Sequence, residues 1–466
     1  MANLEQLTLK ANADDADAQY ALGNAHRYGT GVPQHLPSAM RWYLRAASAG
    51  HVPAQVRLGV LFTQDFAQAG LERNVEQARH WLKRAADAND PEAMHLLAKL
   101  LLERSSPIFD PTAASSLLQQ AADRGCAAAC NELGVCYSLG EVVGRDQARA
   151  YDLFLRGAHL GDPHAQYNVA RCYAEGEGVQ SDATQALHWF RQAANRGLLD
   201  GALELARMLL EEGRSQENMG DGLSVLKQAA DAGHAQAQYE FARQLERGAG
   251  AEPDFLSALH YLHEAADQHH SDAMFRLATI LHQGTGLDRA YPEQAAVWFK
   301  RLVDEHQHGY AAQILGVMHA QGKGVPLDLV RAEALFQRAA ALGQNDALLN
   351  LALLRAGPSA LQDFVVAAKW AMLFDARVGS DESRELVRTL VDLLDDKRLT
   401  QARQEAELWA TSSQQPDEAV SRKSPRWARD SDASRSAQRS VAQHRYRPIY
   451  FRSMPEQGRA DRSVSY

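Results

Sequence analysis

A large apolar residue followed by Gly or Ala recurs along this chain at Leu22, Leu58, Leu97, Leu133, Val169, Leu205, Phe241, Leu277, Leu315 and Leu351. Successive spacings are 36, 39, 36, 36, 36, 36, 36, 38 and 36 residues. A period of this length restricts the fold to stacked supersecondary units, none of which buries its apolar face alone. Ala-Ala pairs follow the same period at Ala46, Ala85, Ala121, Ala193, Ala229, Ala265 and Ala339, and tryptophan stands four residues ahead of that position at Trp42, Trp81, Trp189, Trp298 and Trp370. The 466 residues therefore hold about ten repeats.

Each repeat reads as two helices. In "AQYNVARCYAEG" Ala165, Val169 and Tyr173 fall at helical spacing, and Gly176 follows where a left-handed cap is wanted. Ser181 or Asp182 then serves as N-cap of a second helix, whose Ala186, Trp189, Phe190 and Ala193 share one face before Gly197. The Gly-x-Gly loops at Gly29, Gly176, Gly284 and Gly322 invite a phosphate-binding interpretation. One such loop suffices for a nucleotide, whereas four copies, each closing a helical pattern, belong to the architecture.

The segments "AQYALGNAHRYGTGVPQHLPSAMRWYLRAASAGH", "AQYNVARCYAEGEGVQSDATQALHWFRQAANRG" and "AQILGVMHAQGKGVPLDLVRAEALFQRAAALG" resemble the Sel1-like repeat family, a relative of the tetratricopeptide repeats. The resemblance spans residues 16–379 and implies an all-α, right-handed α/α superhelical solenoid of helix-turn-helix repeats. It implies a scaffold or adaptor role, in bacterial signalling, envelope or secretion assemblies or host contact. One alternative of another class follows from the same resemblance: a β-lactamase-like hydrolase activity, reported for cysteine-rich relatives. Those relatives carry regular disulfide staples, whereas Cys126, Cys130, Cys136 and Cys172 cluster in one stretch and read as small buried residues.

The ends depart from the repeat. Residues 1–15 form a lead-in, and residues 380–410 place Leu386, Leu390, Leu393, Leu394, Leu399 and Leu408 at helical spacing, as a pair of capping helices requires. Residues 411–466 turn to Ser, Arg, Gln and Pro and read as a disordered tail. That tail carries 11 Lys+Arg against 6 Asp+Glu, so of the chain's net −9 the body holds −14. Lacking an apolar run of ~20 residues and a basic, apolar leader, the sequence is expected to be cytoplasmic.

Catalytic motifs fall away on inspection. "HEAAD" at His263–Asp267 opens like a zinc-protease helix but has Asp267 in place of the second histidine, and its alanines belong to the repeat. Gly-x-Ser-x-Gly and Walker lysine motifs are absent from the sequence. The expectation is no enzyme, no cofactor and no metal. In the tail, "RYRPIYFR" interleaves Arg445, Arg447 and Arg452 with Tyr446, Tyr450 and Phe451. A solvated tail, a docking motif or internal lid, and stacking on nucleic acid all remain open, although an acidic body repels phosphate.

In helix pairs of this kind the first helix lines the concave surface, and the residues two before and two after the apolar anchor point into it. This places Tyr167 and Arg171, Leu203 and Arg207, Tyr239 and Arg243, and Phe275 and Thr279 on that face. Three arginines in one register suit a partner protein's acidic or carboxylate-bearing segment. The competing interpretation is a solvated surface, with pairing to Glu204 and Glu240.

Overall fold

The computed structural model describes residues 2–66, 72–211, 216–248 and 252–413, which form 23 α-helices and no β-strand. Two compact units divide the chain at Ala237. The first begins with α1 (Ala2–Asn12) and continues as pairs: α2 (Ala16–Tyr28) with α3 (Leu36–Ser48), α4 (Val52–Phe62) with α5 (Val75–Asp87), and α6 (Pro91–Leu101) with α7 (Pro111–Asp123). It goes on with α8 (Ala127–Leu139) and α9 (Gln147–His159), α10 (Pro163–Glu175) and α11 (Ala183–Asn195), and α12 (Leu199–Glu211) and α13 (Gln216–Asp231). From α14 (Ala235–Arg247) and α15 (Phe255–Asp267) the pairing continues through α16 (Ser271–Gln283) and α17 (Pro292–His306), α18 (Gly309–Gln321) and α19 (Leu329–Ala341), and α20 (Asn345–Ala356) and α21 (Phe364–Val378). The ten pairs match the ten sequence repeats, and each unit is an all-α solenoid.

The fifth repeat shows how the sequence builds a pair. Asp162 caps α10 by accepting the Ala165 N–H at 2.7 Å, and Pro163 occupies the first turn, where its missing donor costs nothing. Gly176 ends the helix at φ 72°, its N–H returning to the Cys172 carbonyl. Asp182, one of the two expected caps, starts α11 by accepting the Gln185 N–H at 3.0 Å.

Between these helices Gly178, the second glycine of the loop, sits at φ 75° against the Gln147 carbonyl, the start of α9 in the preceding repeat. Gly324 meets the Pro292 backbone in the same way and Gly286 meets the Phe255 ring, and each of those residues opens the second helix of the preceding repeat. Gly31, in the first repeat, has nothing within 4 Å. The second glycine is thus a docking point between repeats.

Successive repeats are tied by buried polar joints. Gln19, Gln55 and Gln166 donate from Nε2 to the Ala11, Ala47 and Ala158 carbonyls at 3.0, 3.1 and 3.3 Å, near the end of the preceding helix. These bonds satisfy carbonyls that a helix C-terminus leaves open. The alanine column is buried throughout, with Ala46, Ala85, Ala121 and Ala193 at 0% exposure, which allows the close helix approach. From α1 to α13 and from α15 to α21 each helix packs on its sequence neighbours, and in the first unit α10 also packs on α8 and α6 on α4, so these first helices share an inner layer.

At the other end α22 (Asp381–Val391) and α23 (Asp396–Ser413) pack on α21, with Trp409 edge-on to Trp370 at 5.3 Å. Leu386 and Leu390 are buried there. Leu393 and Leu408, expected in the same apolar stripe, are exposed, because Trp409 supplies the contact instead. No helix among the described residues is long and apolar enough to cross a membrane.

Candidate partner-binding face

On α10 the side chains of Tyr167 and Arg171 lie on the inner layer, two residues either side of buried Val169. The Tyr167 ring meets Phe190 edge-on at 5.6 Å, and burial raises its phenol pKa. Arg171 reaches along its own helix to Glu175, with Nη2 3.1 Å from Oε2 and Nε 3.3 Å from Oε1. Beside it lies a cavity of about 100 Å3 lined by Val135, Leu139, Phe154, Asn168, Arg171 and Glu177. Asn168 bridges α10 to α8 by donating to Asn131 Oδ1 at 2.8 Å. Arg171 therefore stands at the rim of a small, half-apolar recess, held by an intrahelical carboxylate that an incoming one can replace.

The neighbouring position differs. Leu203, expected on the open face, is 4% exposed and belongs to the core, so it presents nothing to a partner. Arg207 pairs with Glu204 one turn back at 2.6 Å, the solvated-surface pairing that the sequence left open.

In the second unit Tyr239 is buried as well, stacked on His270 at 5.1 Å and 28°, with the Arg243 guanidinium 5.9 Å from its ring centre. Phe275 is half-buried, stacked on His308 at 4.9 Å and 19° and edge-on to Tyr310 at 5.8 Å. Thr279 is buried and donates its hydroxyl to the Phe275 carbonyl at 2.8 Å. The residue two before the anchor thus faces the next repeat's N-cap more than it faces solvent.

Those caps are histidines. His51, His234, His270 and His308 each accept, at Nδ1, the N–H three residues on, all at 3.1 Å. At His308, whose pKa burial lowers, the accepting Nδ1 carries no proton and the hydrogen sits on Nε2. Nε2 of His51 and His234 points to Asp17 and Asp200 at 3.0 Å. Sequence reasoning passed over this set, although a histidine before each helix pattern, in the place that Asp15, Asp90 and Asp162 take elsewhere, was the available signal. It also passed over Arg276, which forks onto Glu246 and ties α16 to α14.

The four cysteines are free thiols. Burial pushes Cys136 and Cys172 up to about 11 and raises Cys126 and Cys130. His263 lies edge-on to Trp298 at 5.6 Å, burial lowering its pKa. Among the described residues no group of three His, Cys, Asp or Glu is arranged to hold a metal. Arg445, Tyr446, Arg447, Tyr450, Phe451 and Arg452 lie outside the described residues.

Paired helices of fixed period and glycine-docked turns define the class of α/α repeat proteins. Within it, this chain belongs to the Sel1 repeat family: the family's sequence model matches residues 16–51, 52–90, 91–126, 127–162, 163–198, 235–270, 271–305 and 309–344. The sixth and tenth helix pairs fall outside these matches, yet keep the fold. Chitin synthase regulatory factor 3 of Schizosaccharomyces pombe is 30% identical over 29% of this chain and 15% of its own length. Chitin synthase regulatory factor 2 of the same yeast is 30% identical over 35% of this chain and 33% of its own. The chain thus spans a third or less of these curated relatives. The crystal structure of a protective antigen of uropathogenic Escherichia coli, displaying an SLR fold, aligns with a TM-score of 0.52 at 26% identity, over 87% of this chain and 94% of the other. Sel1 repeat proteins act in general as protein-interaction adaptors.

Proposed function

We propose that this chain is a non-catalytic adaptor that holds another protein on the inner helix layer of its first unit. The recess between α8 and α10, with Arg171 at its rim, is the observation that carries the reading. A partner carboxylate that takes the place of Glu175 gains a bidentate contact, while Val135, Leu139 and Phe154 receive an adjoining apolar group. Arg207 extends the contact in the first unit, and Arg243 and Phe275 are the corresponding positions of the second. Leu203 and Tyr239 act from below, as core.

The proposed setting is a bacterial signalling, envelope, secretion or host-contact assembly, in the cytoplasm. The array comprises residues 16–379, the cap 380–410 and the tail 411–466. The regulatory-factor names of the yeast relatives and the antigen described from Escherichia coli accord with a binding role. Affinity capture from the source cell with wild type and Arg171→Ala, read by mass spectrometry, tests this. A partner lost from the variant supports it. Retention by Arg171→Ala together with loss on deleting residues 411–466 moves the binding to the tail and overturns it.

A further inference from the structure

The tryptophan column that runs through the second helices has one weak member. At the position of Trp42, Trp81, Trp189, Trp298 and Trp370, other repeats carry Leu117, Leu153, Tyr261 and Leu335, and the sixth alone carries the smaller Val225. Trp189 shows what the column does. It packs in one cluster with Leu155, Ala158 and Val169, and its indole lies edge-on to His159 at 5.5 Å, in the groove between α9 and α11. Thirty-six residues on, the matching groove is lined by Arg191, Ala194, Asn195 and Leu205, with Val225 and Gln228 on its far wall. There it holds a cavity of about 360 Å3, within the ~300–1,000 Å3 of pockets that accept small organic groups.

We infer that this groove receives a tryptophan or tyrosine side chain from a protein partner, in the place that the chain's own indole fills one repeat earlier. Two observations specify the occupant. Leu155, Ala158, His159 and Val169, which surround the indole in repeat five, correspond to Arg191, Ala194, Asn195 and Leu205 here, so the recess occupies the indole's place. Two exchanges are non-conservative: His159 to Asn195 removes the ring that meets Trp189, and Leu155 to Arg191 adds a guanidinium with no ion pair to another described residue. Guanidinium groups already lie over indoles of this column, each from three residues on in the same helix: Arg45 over Trp42 at 4.9 Å, Arg84 over Trp81 at 5.2 Å and Arg301 over Trp298 at 4.7 Å. Gln228 holds that position here, and Arg191 brings the charge from the preceding repeat instead. The positive charge complements the negative face of an aromatic ring. This site is separate from the Arg171 recess and does not depend on it.

Full-length protein with 13C-labelled valine methyls, titrated with indole, tests the inference. The Val225 methyl signals are expected to shift saturably. Arg191→Leu should weaken binding roughly three- to tenfold. Val225→Trp should abolish it and raise the melting temperature, because the groove is then filled as in repeat five. Val225 signals that stay unmoved at the solubility limit of indole overturn the inference, and this wild-type measurement decides even if the tryptophan variant does not fold. Equal binding of cyclohexanol overturns the aromatic assignment. Self-association of the wild type that Val225→Trp abolishes hands the groove to a second copy of the chain, and overturns the partner.

Discussion

Gly178 rests against the carbonyl oxygen of Gln147, so closely that a β-carbon on Gly178 would overlap it. Position 178 thus combines a left-handed backbone with a contact across the repeat boundary, whereas Gly31 has the same conformation and no neighbour. Gly31→Ala should cost about 1 kcal/mol, the conformational part alone. Gly178→Ala should cost more, since the backbone of α9 must move. Denaturant unfolding of both variants measures the difference, and equal losses would remove the docking role.

The histidine caps predict an acid-labile second unit. Burial holds the His308 pKa below the usual histidine value, nearby His306 acts in the same direction, and Asp272 opposes them. The folded state therefore prefers the neutral ring, which the Ala311 N–H also requires. Stability is complete above the unfolded value of ~6.5 and declines as pH falls below it. Melting curves at pH 7.5 and 5.5 should show the loss, and His308→Asn, which caps without titrating, should lessen it.

Arg171 and Leu203, assigned to one face by sequence, should separate cleanly on substitution. Arg171→Ala, at a half-exposed residue with an intrahelical partner, is expected to stay within about 0.5 kcal/mol of wild type. Leu203→Ala empties a core position and should cost roughly 2–5 kcal/mol. Added salt should weaken partner capture through Arg171 and leave the Leu203 effect unchanged.

The raised thiols predict slow chemistry. At pH 7.5 iodoacetamide should label Cys136 and Cys172 far more slowly in the folded protein than after denaturation. Rapid native labelling of either, accompanied by turnover of a β-lactam that its alanine variant lacks, would restore the hydrolase alternative.

Much of the fold was legible because its signals are local and repeated. Gly176 and Asp182 act within one turn of where they stand, so sequence places them well. The face was harder. The rule of two residues before the anchor takes no account of neighbours: Tyr167 packs on Phe190, and for Tyr239 and Phe275 the direction is set by the imidazole of the next repeat, some 31 to 33 residues away. Leu203 sinks into the core because leucine has no polar end to hold at the surface. The Val225 groove could have been found by aligning the tryptophan column and asking which member was smallest, a comparison of side-chain size that helical periodicity does not make.

The glutamine joints carry a mechanical consequence. Gln19, Gln55 and Gln166 each hang one repeat from the last helical carbonyls of its predecessor, and no strand ladder shares the load among the described residues. Under tension applied to its ends, a solenoid of this kind should yield one repeat at a time, each 36-residue step releasing about 120 Å of chain. Its joints would make it an extensible tether, lengthening in discrete increments at low force and recoiling when the load is removed.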